Sequence, residues 1–447
     1  MSEITLPDKE NFSKFCGYHQ NWEGQPDMEL AQTGPGTPCG EYLRRYWHPI
    51  HIASDLGDKP KLVTILGEEL VLFKDLSGQY GLVHKKCPHR RASLEFGRCE
   101  TKGIRCCYHG WVFDVDGTVL EIPGEPEDSK SAINVKTKRR LGAYPVIEFK
   151  GLLFAYLGPP EEIPEFPHYD TFDLPDMVMT PYAAPFNCNW IQVLDAIVDP
   201  VHTAFLHQNQ FSDGFGKLGE IEFYEREKLR FLGTHTRRVG DNIWVRVNEL
   251  ILPNFTQAGS AFAVDGTKEK AFGRSAFTRW VVPVDDESCI AYAWGNFGER
   301  GDPLEWNTPE GMQLIEQGEL IDRTYEQKQA SPGDVEAVEG MGTISDHEKE
   351  YLVSGDLGVA KYRRQIKKFC RNLQKGKKPP AIADLASGVI PTYGSDTVVA
   401  VPAADGDADR QVLSRVNDEV MEVLFAADHL VGDERDQSIF NAVENIK

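Results

Sequence analysis

The chain lacks the features of a membrane or secreted protein. None of its apolar runs approaches the roughly 18 residues that a membrane-spanning helix needs. Its first residues, Met1 to Lys14, are polar and acidic, unlike a secretory signal. Its nine cysteines are an odd number, and their spacing does not suggest a disulfide framework. We therefore expect a cytoplasmic protein whose thiols are reduced.

Positive charge and nucleotide-binding motifs are also scarce. With 48 Lys and Arg residues against 69 Asp and Glu residues, the 447-residue chain carries a net charge of -21 at pH 7. This surplus of negative charge disfavours nucleic acids and anionic membranes as partners. Gly34, Gly36 and Gly40 miss the Gly-x-Gly-x-x-Gly spacing, and no predicted strand precedes them. No flavin or nicotinamide fingerprint is present in the chain either.

Two short segments each offer one cysteine and one histidine. Cys-Pro-His-Arg begins at Cys87, and Cys-Cys-Tyr-His-Gly-Trp begins at Cys106. A structural zinc site usually takes a cysteine pair from one element and a histidine pair from another. A Rieske [2Fe–2S] centre instead binds two thiolates to one iron and two imidazoles to the other. The segments fit the Rieske division, because each can give one ligand to each iron; a zinc knot and unrelated thiols are the alternatives.

The two segments resemble the cluster loops of Rieske proteins, and those of aromatic-ring oxygenases in particular. The residues alone leave both Cys106 and Cys107 available. The second loop of the family reads Cys-x-x-His, which selects Cys106. The resemblance therefore implies that Cys87, His89, Cys106 and His109 hold the cluster, and that Cys107 is a small buried thiol or a neighbour of the cluster.

A second set of metal-binding side chains lies between Asn189 and His207. The pattern Asp199-x-x-His202-x-x-x-x-His207 offers two imidazoles and a nearby carboxylate. Two histidines and one carboxylate form the facial triad of non-haem Fe(II) oxygenases. On a regular helix the two histidines would lie about 140° apart, so we expect a π-bulge or a helix end near Ala204. The alternative is that both histidines are ordinary core residues.

Two acids accompany the histidines. Asp195, Asp199 and His202 are spaced four and three residues apart, which places them on one face of a helix. Asp199 would then lie beside His202, where a carboxylate can fix the tautomer of the imidazole. We predict Asp199 and Asp195 as the catalytic acids of this site.

Together the two motifs resemble the catalytic α subunit of Rieske oxygenases, in the group of phthalate dioxygenases and O-demethylases. The match covers nearly the whole chain and is densest at residues 33–123, 187–208 and 334–364. It implies a homotrimer in which electrons pass from His109 of one chain through Asp199 to His202 of the next. It also implies a separate reductase or ferredoxin as the electron donor.

The resemblance further implies the carboxylate of the triad. Relatives carry this Asp at the start of a helix well after the histidines, and Asp334 matches it, although a glycine stands where Gln is common. His202, His207 and Asp334 would then bind a mononuclear Fe(II). A helix N-cap is the alternative role for Asp334, with Glu336 and Glu339 as substitute ligands.

The chain is predicted to have an α+β fold. Residues 46–160 contain short β-type runs separated by turns, which predict a small antiparallel β-sandwich that carries the cluster. Residues 161–447 are predicted as the mononuclear iron catalytic domain, a curved antiparallel sheet with helices of the helix-grip, START-like type. Residues 1–45 would form an N-terminal helical segment packed on the catalytic domain. Helices are expected at residues 190–207, 308–329, 335–370 and 411–430.

These features imply a terminal oxygenase that uses O2 and NADH-derived electrons to hydroxylate or O-demethylate an aromatic compound, with an aromatic acid favoured. A carboxylated substrate would need an arginine, and Arg237, Arg246 and Arg279 are candidates. The alternatives are a hydroxylase of an aromatic N-heterocycle such as an oxoquinoline, and a Rieske electron-transfer protein without its own catalytic iron. Residues 81–110 carry a surplus of basic side chains, a basic collar suited to an acidic electron donor.

Overall fold

Four antiparallel sheets, with helices packed around them, make up the part of the chain that the structure describes. The computed structural model describes residues 15–20, 23–208, 215–260, 271–315, 322–386 and 388–447. The mixture of antiparallel sheets and helices confirms the predicted α+β class. Among the described helices, none combines the length and the apolar content needed to cross a bilayer.

The first eleven strands build three small sheets. These strands are β1 Trp47–Ile52, β2 Lys61–Ile65, β3 Glu68–Lys74, β4 Tyr80–His84, β5 Arg98–Cys99, β6 Ile104–Arg105, β7 Val112–Phe113, β8 Val119–Glu121, β9 Ala143–Tyr144, β10 Val146–Phe149 and β11 Leu152–Tyr156. One sheet has the order β1-β11-β10, and the two four-stranded sheets have the orders β2-β3-β4-β9 and β5-β6-β7-β8. The four-stranded sheets share a hydrophobic core that includes Val71, Ile104 and Phe113 together with the cysteines Cys87 and Cys106. The cluster loops are thus anchored in this core.

The other strands form one nine-stranded sheet. They are β12 Met177–Phe186, β13 Glu220–Arg226, β14 Arg230–Val239, β15 Asn242–Ile251, β16 Phe255–Gly259, β17 Phe272–Gly273, β18 Ser275–Pro283, β19 Cys289–Gly298 and β20 Ser395–Ala400. Seven of them follow the order β12-β19-β18-β16-β15-β14-β13, while β20 pairs with β15 and β17. Strand β20 was not predicted, because it lies in a segment rich in Gly, Pro and Asp.

Eleven α-helices lie in the described residues. They are α1 Met28–Ala31, α2 Pro38–Leu43, α3 Lys130–Lys138, α4 Trp190–Ile197, α5 Pro200–Leu206, α6 Pro309–Ile315, α7 Tyr325–Ala330, α8 Asp334–Glu339, α9 Leu357–Gln374, α10 Asp407–Ala426 and α11 Gly432–Val443. The helix predicted at 335–370 is split into α8 and α9, with Gly340 and Gly342 after the first. The helix predicted at 308–329 corresponds to α6 and α7, and its residues 316–321 lie outside the described residues.

Residues 190–207 form two helices, so the prediction of one continuous helix is wrong. The break follows from Pro200, which has no N–H to continue α4 but suits the first position of a new helix. Asp199 caps α5, because its carboxylate accepts hydrogen bonds from the N–H of Val201 (2.9 Å) and the N–H of His202 (3.4 Å).

The nine-stranded sheet and the sheet of β1, β10 and β11 share one large hydrophobic core. Phe154 of β11 packs edge-on against Trp280 of β18, with ring centroids 5.3 Å apart. Trp280 packs in the same way against Trp294 of β19, at 5.4 Å. Because this core runs across residue 160, the predicted domain boundaries stay a prediction.

Candidate cluster site and metal centre

The two cluster loops are short turns between strands. The first follows β4, and the second connects β6 to β7. Each loop is closed by a backbone hydrogen bond: the Cys87 N–H donates to the Ala92 carbonyl (2.9 Å), and the Cys106 N–H donates to the Trp111 carbonyl (2.8 Å). Gly110 has a φ of 73°, which allows the turn that follows His109.

The loops bring the four predicted ligands together in like pairs. The ring centroids of His89 and His109 are 4.5 Å apart. The thiol of Cys87 lies against that of Cys106, and both side chains are buried. His89 is exposed and His109 is partly buried. A buried thiol pair beneath a more exposed imidazole pair fits the division of ligands in a Rieske cluster.

The pKa of Cys87 shows what cluster binding requires. Burial raises this pKa to about 11, and Cys106 adds to the rise, although the N–H groups of His89 and Arg90 donate to the sulfur and oppose it. Cluster binding must therefore release the proton of this thiol. The same two N–H groups would then stabilise the thiolate.

Cys107 is exposed, so the alternative that it is a small buried thiol is wrong. Its side chain points to solvent, whereas Cys106 is buried against Cys87. The geometry of the second loop thus agrees with the Cys-x-x-His spacing of the family.

Acidic partners neutralise much of the basic collar. Ion pairs with carboxylates involve Lys85, Arg98, Lys102 and Arg105. Within the described ranges, no carboxylate partner is found for the exposed side chains Lys86, Arg90 and Arg91. The free positive charge beside the cluster loops therefore narrows to these three residues.

His202, His207 and Asp334 converge on one point. Oδ1 of Asp334 lies 3.3 Å from Nε2 of His207 and 3.8 Å from Nε2 of His202. One ligand atom from each residue lies within 4.8 Å of the others, close enough to share a metal ion. Helix α5 ends at Leu206, and His207 follows with φ -100° and ψ 6°. The helix thus ends two residues beyond Ala204, and this end lets two histidines five residues apart face the same point.

Asp199 orients His202 mainly through its main chain. Nδ1 of His202 donates to the carbonyl oxygen of Asp199, which leaves Nε2 facing Asp334. The Asp199 carboxylate, 3.8 Å from Nδ1, is engaged as the cap of α5. Burial lowers the pKa of His202, while Asp334 and Asp199 oppose the change. The ring is therefore neutral, as a metal ligand must be.

Asp334 is the first residue of α8, and Gly333 occupies the N-cap position. The alternative of an N-cap role for Asp334 is therefore wrong. Although burial opposes ionisation, His207 and His202 hold the pKa of Asp334 well below its usual range. Its carboxylate is thus ionised and available to a cation.

The two substitute ligands are engaged elsewhere. Glu336 accepts a hydrogen bond from the Gly333 N–H (2.8 Å) and pairs with Arg323 (2.5 Å). Glu339 accepts a hydrogen bond from the Asn187 N–H (2.7 Å). Both contacts fix α8 to its surroundings instead of completing the triad.

Gln192, which the sequence analysis did not identify, connects the helix that precedes the two histidines to the helix that carries Asp334. Its buried amide donates to the carbonyls of Val338 (2.8 Å) and Gly342 (2.9 Å) and accepts from the N–H of Ser345 (3.0 Å). Helix α4 is thereby bound to α8 and to the turn after it. Since α8 carries Asp334, Gln192 determines where that carboxylate lies relative to the histidines.

The second predicted catalytic acid, Asp195, is not among the side chains that converge in the triad. Asp195 pairs with Arg363 of α9 and accepts a hydrogen bond from Tyr362. The break between α4 and α5 removes the common helix face that Asp195 was expected to share with His202. The contacts of Asp195 connect α4 to α9, and its catalytic role stays a prediction.

The fold, the cluster loops and the triad define an oxygenase of the Rieske type. A family model of the Rieske [2Fe-2S] domain matches residues 46–145. The chain is 37% identical to the tert-butanol monooxygenase / tert-amyl alcohol desaturase oxygenase subunit of Aquincola tertiaricarbonis, over 94% of this chain and 93% of that protein. It is 34% identical to the phenoxybenzoate dioxygenase subunit alpha of Ectopseudomonas oleovorans, over 81% of this chain and 89% of that protein.

The chain therefore belongs to the oxygenase subunits of the Rieske oxygenases, in the predicted group of phthalate dioxygenases and O-demethylases. A further relative, at 34% identity over 79% of this chain and 82% of its own length, is the 5,5'-dehydrodivanillate O-demethylase oxygenase subunit of Sphingobium. The crystal structure of dicamba monooxygenase shares the fold, with a TM-score of 0.56 at 18% identity over 75% of this chain and all of that chain. The cofactors of the present chain are a Rieske cluster and a mononuclear iron, and a separate reductase supplies the electrons.

Proposed function

We propose that the chain uses O2 and NADH-derived electrons to hydroxylate or O-demethylate an aromatic acid. The convergence of His202, His207 and Asp334 within 4.8 Å carries the proposal. Two imidazoles and one carboxylate leave positions open on an iron ion, and an iron so held supplies the O2 chemistry. An electron-transfer protein without a catalytic iron would have no use for this set of side chains.

The protein's own contribution is to hold and orient these ligands. Asp199 fixes the tautomer of His202, the end of α5 turns His207 inward, and Gln192 holds the helix that carries Asp334. Burial of His207 and ionisation of Asp334 keep both ligands ready for the metal. Cys87, Cys106, His89 and His109 would hold the cluster that relays electrons one at a time.

We further propose that the electrons cross between chains of a homotrimer. His109 is partly exposed, and the Asp199 side chain is 28% exposed, so a neighbouring chain can reach both residues. Asp199 is held rigidly as the cap of α5 and contacts His202 directly. It is therefore suited to connect His109 of one chain to His202 of the next.

The electron donor would dock beside the cluster loops. Lys86, Arg90 and Arg91 leave exposed positive charge there, on a protein whose net charge is -21. An acidic reductase or ferredoxin complements this patch, and its association should weaken as salt rises.

The relatives support two substrate classes. The names of the phenoxybenzoate dioxygenase and of the dehydrodivanillate O-demethylase specify aromatic acids. The tert-butanol monooxygenase is more similar in sequence and supports a small tertiary alcohol as the second candidate. Coupled O2 uptake with a surrogate reductase, measured with phenoxybenzoate and with tert-butanol, separates the two.

Iron analysis tests the proposed second site. The intact protein should bind about three irons per chain and show the spectrum of a reduced Rieske cluster. His202→Ala and His207→Ala should retain the cluster but lose one iron and all turnover. His168→Ala, at a partly exposed histidine whose ring pairs with Asp173, should retain all three irons and turnover. Turnover by the His202 or His207 variant would refute the site.

A further inference from the structure

The three candidate arginines lie on one face of the nine-stranded sheet. In the register of β14 and β15, Arg237 stands opposite Trp244, and His235 stands opposite Arg246. Residues two apart along a strand share a face, so these four side chains point the same way. Helix α5 covers this face, because Arg237 Nη2 donates to Thr203 Oγ1 at 3.0 Å. Thr203 directly follows His202, so Arg237 contacts the helix that carries this ligand.

Two of the three arginines lie near a carboxylate. Arg246 forms a bidentate pair with Asp396, at 3.0 and 2.7 Å. Arg279 lies near Asp334 and helps to lower the pKa of that carboxylate. Arg237 is different: it is fully buried, and no carboxylate among the described residues pairs with it.

Several buried N–H donors are left without acceptors around Arg237. Within the described part of the chain, its Nε and Nη1 have no hydrogen-bond partner, nor does Nε1 of Trp244 across the strand. The rings of Phe215 and Trp244 lie 5.0 and 4.8 Å from the guanidinium carbon and cover its faces. Stacking on the faces leaves the N–H groups in the guanidinium plane unsatisfied, and these require an acceptor.

The contact between Arg237 and His235 sets a donor against a donor. Nε2 of His235 accepts from the Gly219 N–H at 3.0 Å. The proton of the neutral ring is therefore on Nδ1, which faces Arg237 Nη2 at 2.6 Å. Burial lowers the pKa of His235 well below its usual value, and Arg237 adds to that effect, so the ring carries no charge.

The charges in this buried group do not cancel. Asp396 neutralises Arg246, His235 is neutral, and Arg237 is left with one unpaired positive charge. An unpaired buried charge is costly, and one carboxylate would remove the cost while accepting the free N–H groups. The site has the charge and the donors for one monoanion.

We infer that Arg237, with the indole N–H of Trp244, binds the carboxylate of the substrate beside the metal centre. This inference rests on the proposed function and names its substrate class, an aromatic compound with one carboxylate. Arg237 thus acts as the residue that distinguishes an acid from its neutral analogue. Thr203 and the rings of Phe215 and Trp244 contact Arg237 without taking up its charge.

The test compares an acid with its amide on the metal-loaded protein. Calorimetry would measure binding of phenoxybenzoate and of phenoxybenzamide to wild type, Arg237→Gln, Arg237→Lys and Arg238→Gln. The neighbouring Arg238 is a matched control, since it pairs with Asp409 at 2.6 Å outside this group. We expect wild type and Arg238→Gln to prefer the acid at least tenfold. Arg237→Gln should weaken acid binding about ten- to a hundredfold and leave amide binding nearly unchanged, with Arg237→Lys in between.

Equal binding of acid and amide by wild type would overturn the inference. An equal loss of both ligands in Arg237→Gln would also overturn it, because that result marks a structural role. Iron content and O2 uptake report separately on the proposed function. If the protein takes up O2 with tert-butanol but binds acid and amide equally, only the role of Arg237 is refuted. If acid binding depends on Arg237 but the protein holds only two irons per chain, only the oxygenase function is refuted.

Discussion

Gln192 shows how one buried amide determines the position of a metal ligand. It uses its oxygen and its nitrogen together, and all three of its bonds go to the segment that begins with the helix of Asp334. Outer hydrogen bonds of this kind orient metal ligands, and their loss typically lowers metal affinity about 10–100-fold.

We predict that Gln192→Leu lowers the affinity for the mononuclear iron about tenfold or more while the Rieske cluster stays intact. Leucine fills similar space but leaves two carbonyls and one N–H buried without partners, which loosens α8. Iron analysis together with the spectrum of the reduced cluster measures both effects. Gln437→Leu, at an exposed glutamine of α11, serves as the control. Full iron content in Gln192→Leu would show that α8 is held by other contacts.

The residues of the two centres differ in how readily the sequence reveals them. Cys87, His89, Cys106 and His109 follow a dense local pattern, so their grouping was predictable. His202 and His207 were predictable for the same reason, and Asp334 only through family resemblance. Gln192 and Arg237 have no local pattern, because their roles depend on carbonyls and donors far away in the chain.

At the scale of elements, α4 and α5 show where helix periodicity misleads. Spacing alone put Asp195 and His202 on one face, but the break at Asp199 places them in two different helices. The pair Asp199–Pro200 is itself a helix-start signal, an N-cap followed by proline at the first position. That signal was present in the sequence, whereas the partner of Asp195, Arg363, was too distant to predict.

We expect Asp195→Asn to lower the free energy of unfolding by about 3 kcal/mol, because it leaves the largely buried Arg363 without part of its counter-charge. Urea unfolding measures this change. Glu419→Gln breaks an exposed pair with Arg415 on α10 and should cost less than about 1 kcal/mol. If Asp195→Asn is as stable as wild type yet inactive, the catalytic role predicted from the sequence is correct and the structural role is not.

Asp170 ties the C-terminal helix α11 to the rest of the fold. Its carboxylate lies 2.7 Å from Arg435 of α11 and 2.6 Å from Arg274. Although burial opposes the shift, these two arginines lower the pKa of Asp170. A lowered pKa means that the carboxylate stabilises the fold fully above the ordinary Asp pKa of about 3.9, and that this contribution is lost as the pH falls through the folded value.

The stability difference between wild type and Asp170→Asn should therefore be large near neutral pH and should shrink as the pH falls below about 4. Urea unfolding across this range gives the difference at each pH. Asp384→Asn, at an exposed turn, should show no such trend. A difference that stays constant with pH would mean that shape, and not charge, accounts for the role of Asp170.

At the scale of the whole molecule, the cluster of one chain can supply electrons either to the iron of the same chain or to the iron of a neighbouring chain. We predict that a chain without a cluster, His109→Ala, and a chain without the second iron, His202→Ala, are each inactive alone but regain activity when they assemble together. In a mixed assembly of the proposed homotrimer, the intact cluster of one chain would serve the intact iron of its neighbour. Coexpression with two affinity tags isolates the mixed assemblies for O2-uptake assays. Inactive mixed assemblies that contain both cofactors would show that electrons stay within one chain.

The separation of the two sites along the chain has a consequence for biogenesis. The cluster loops both lie within residues 84–113, but the triad joins His202 to Asp334, which is synthesised much later. A nascent polypeptide can thus acquire its iron–sulfur group well before its second iron-binding pocket exists. We expect maturation to be sequential, with the ferrous ion entering last. A chain truncated before α8 should show the colour of the iron–sulfur cluster but no oxygenase activity.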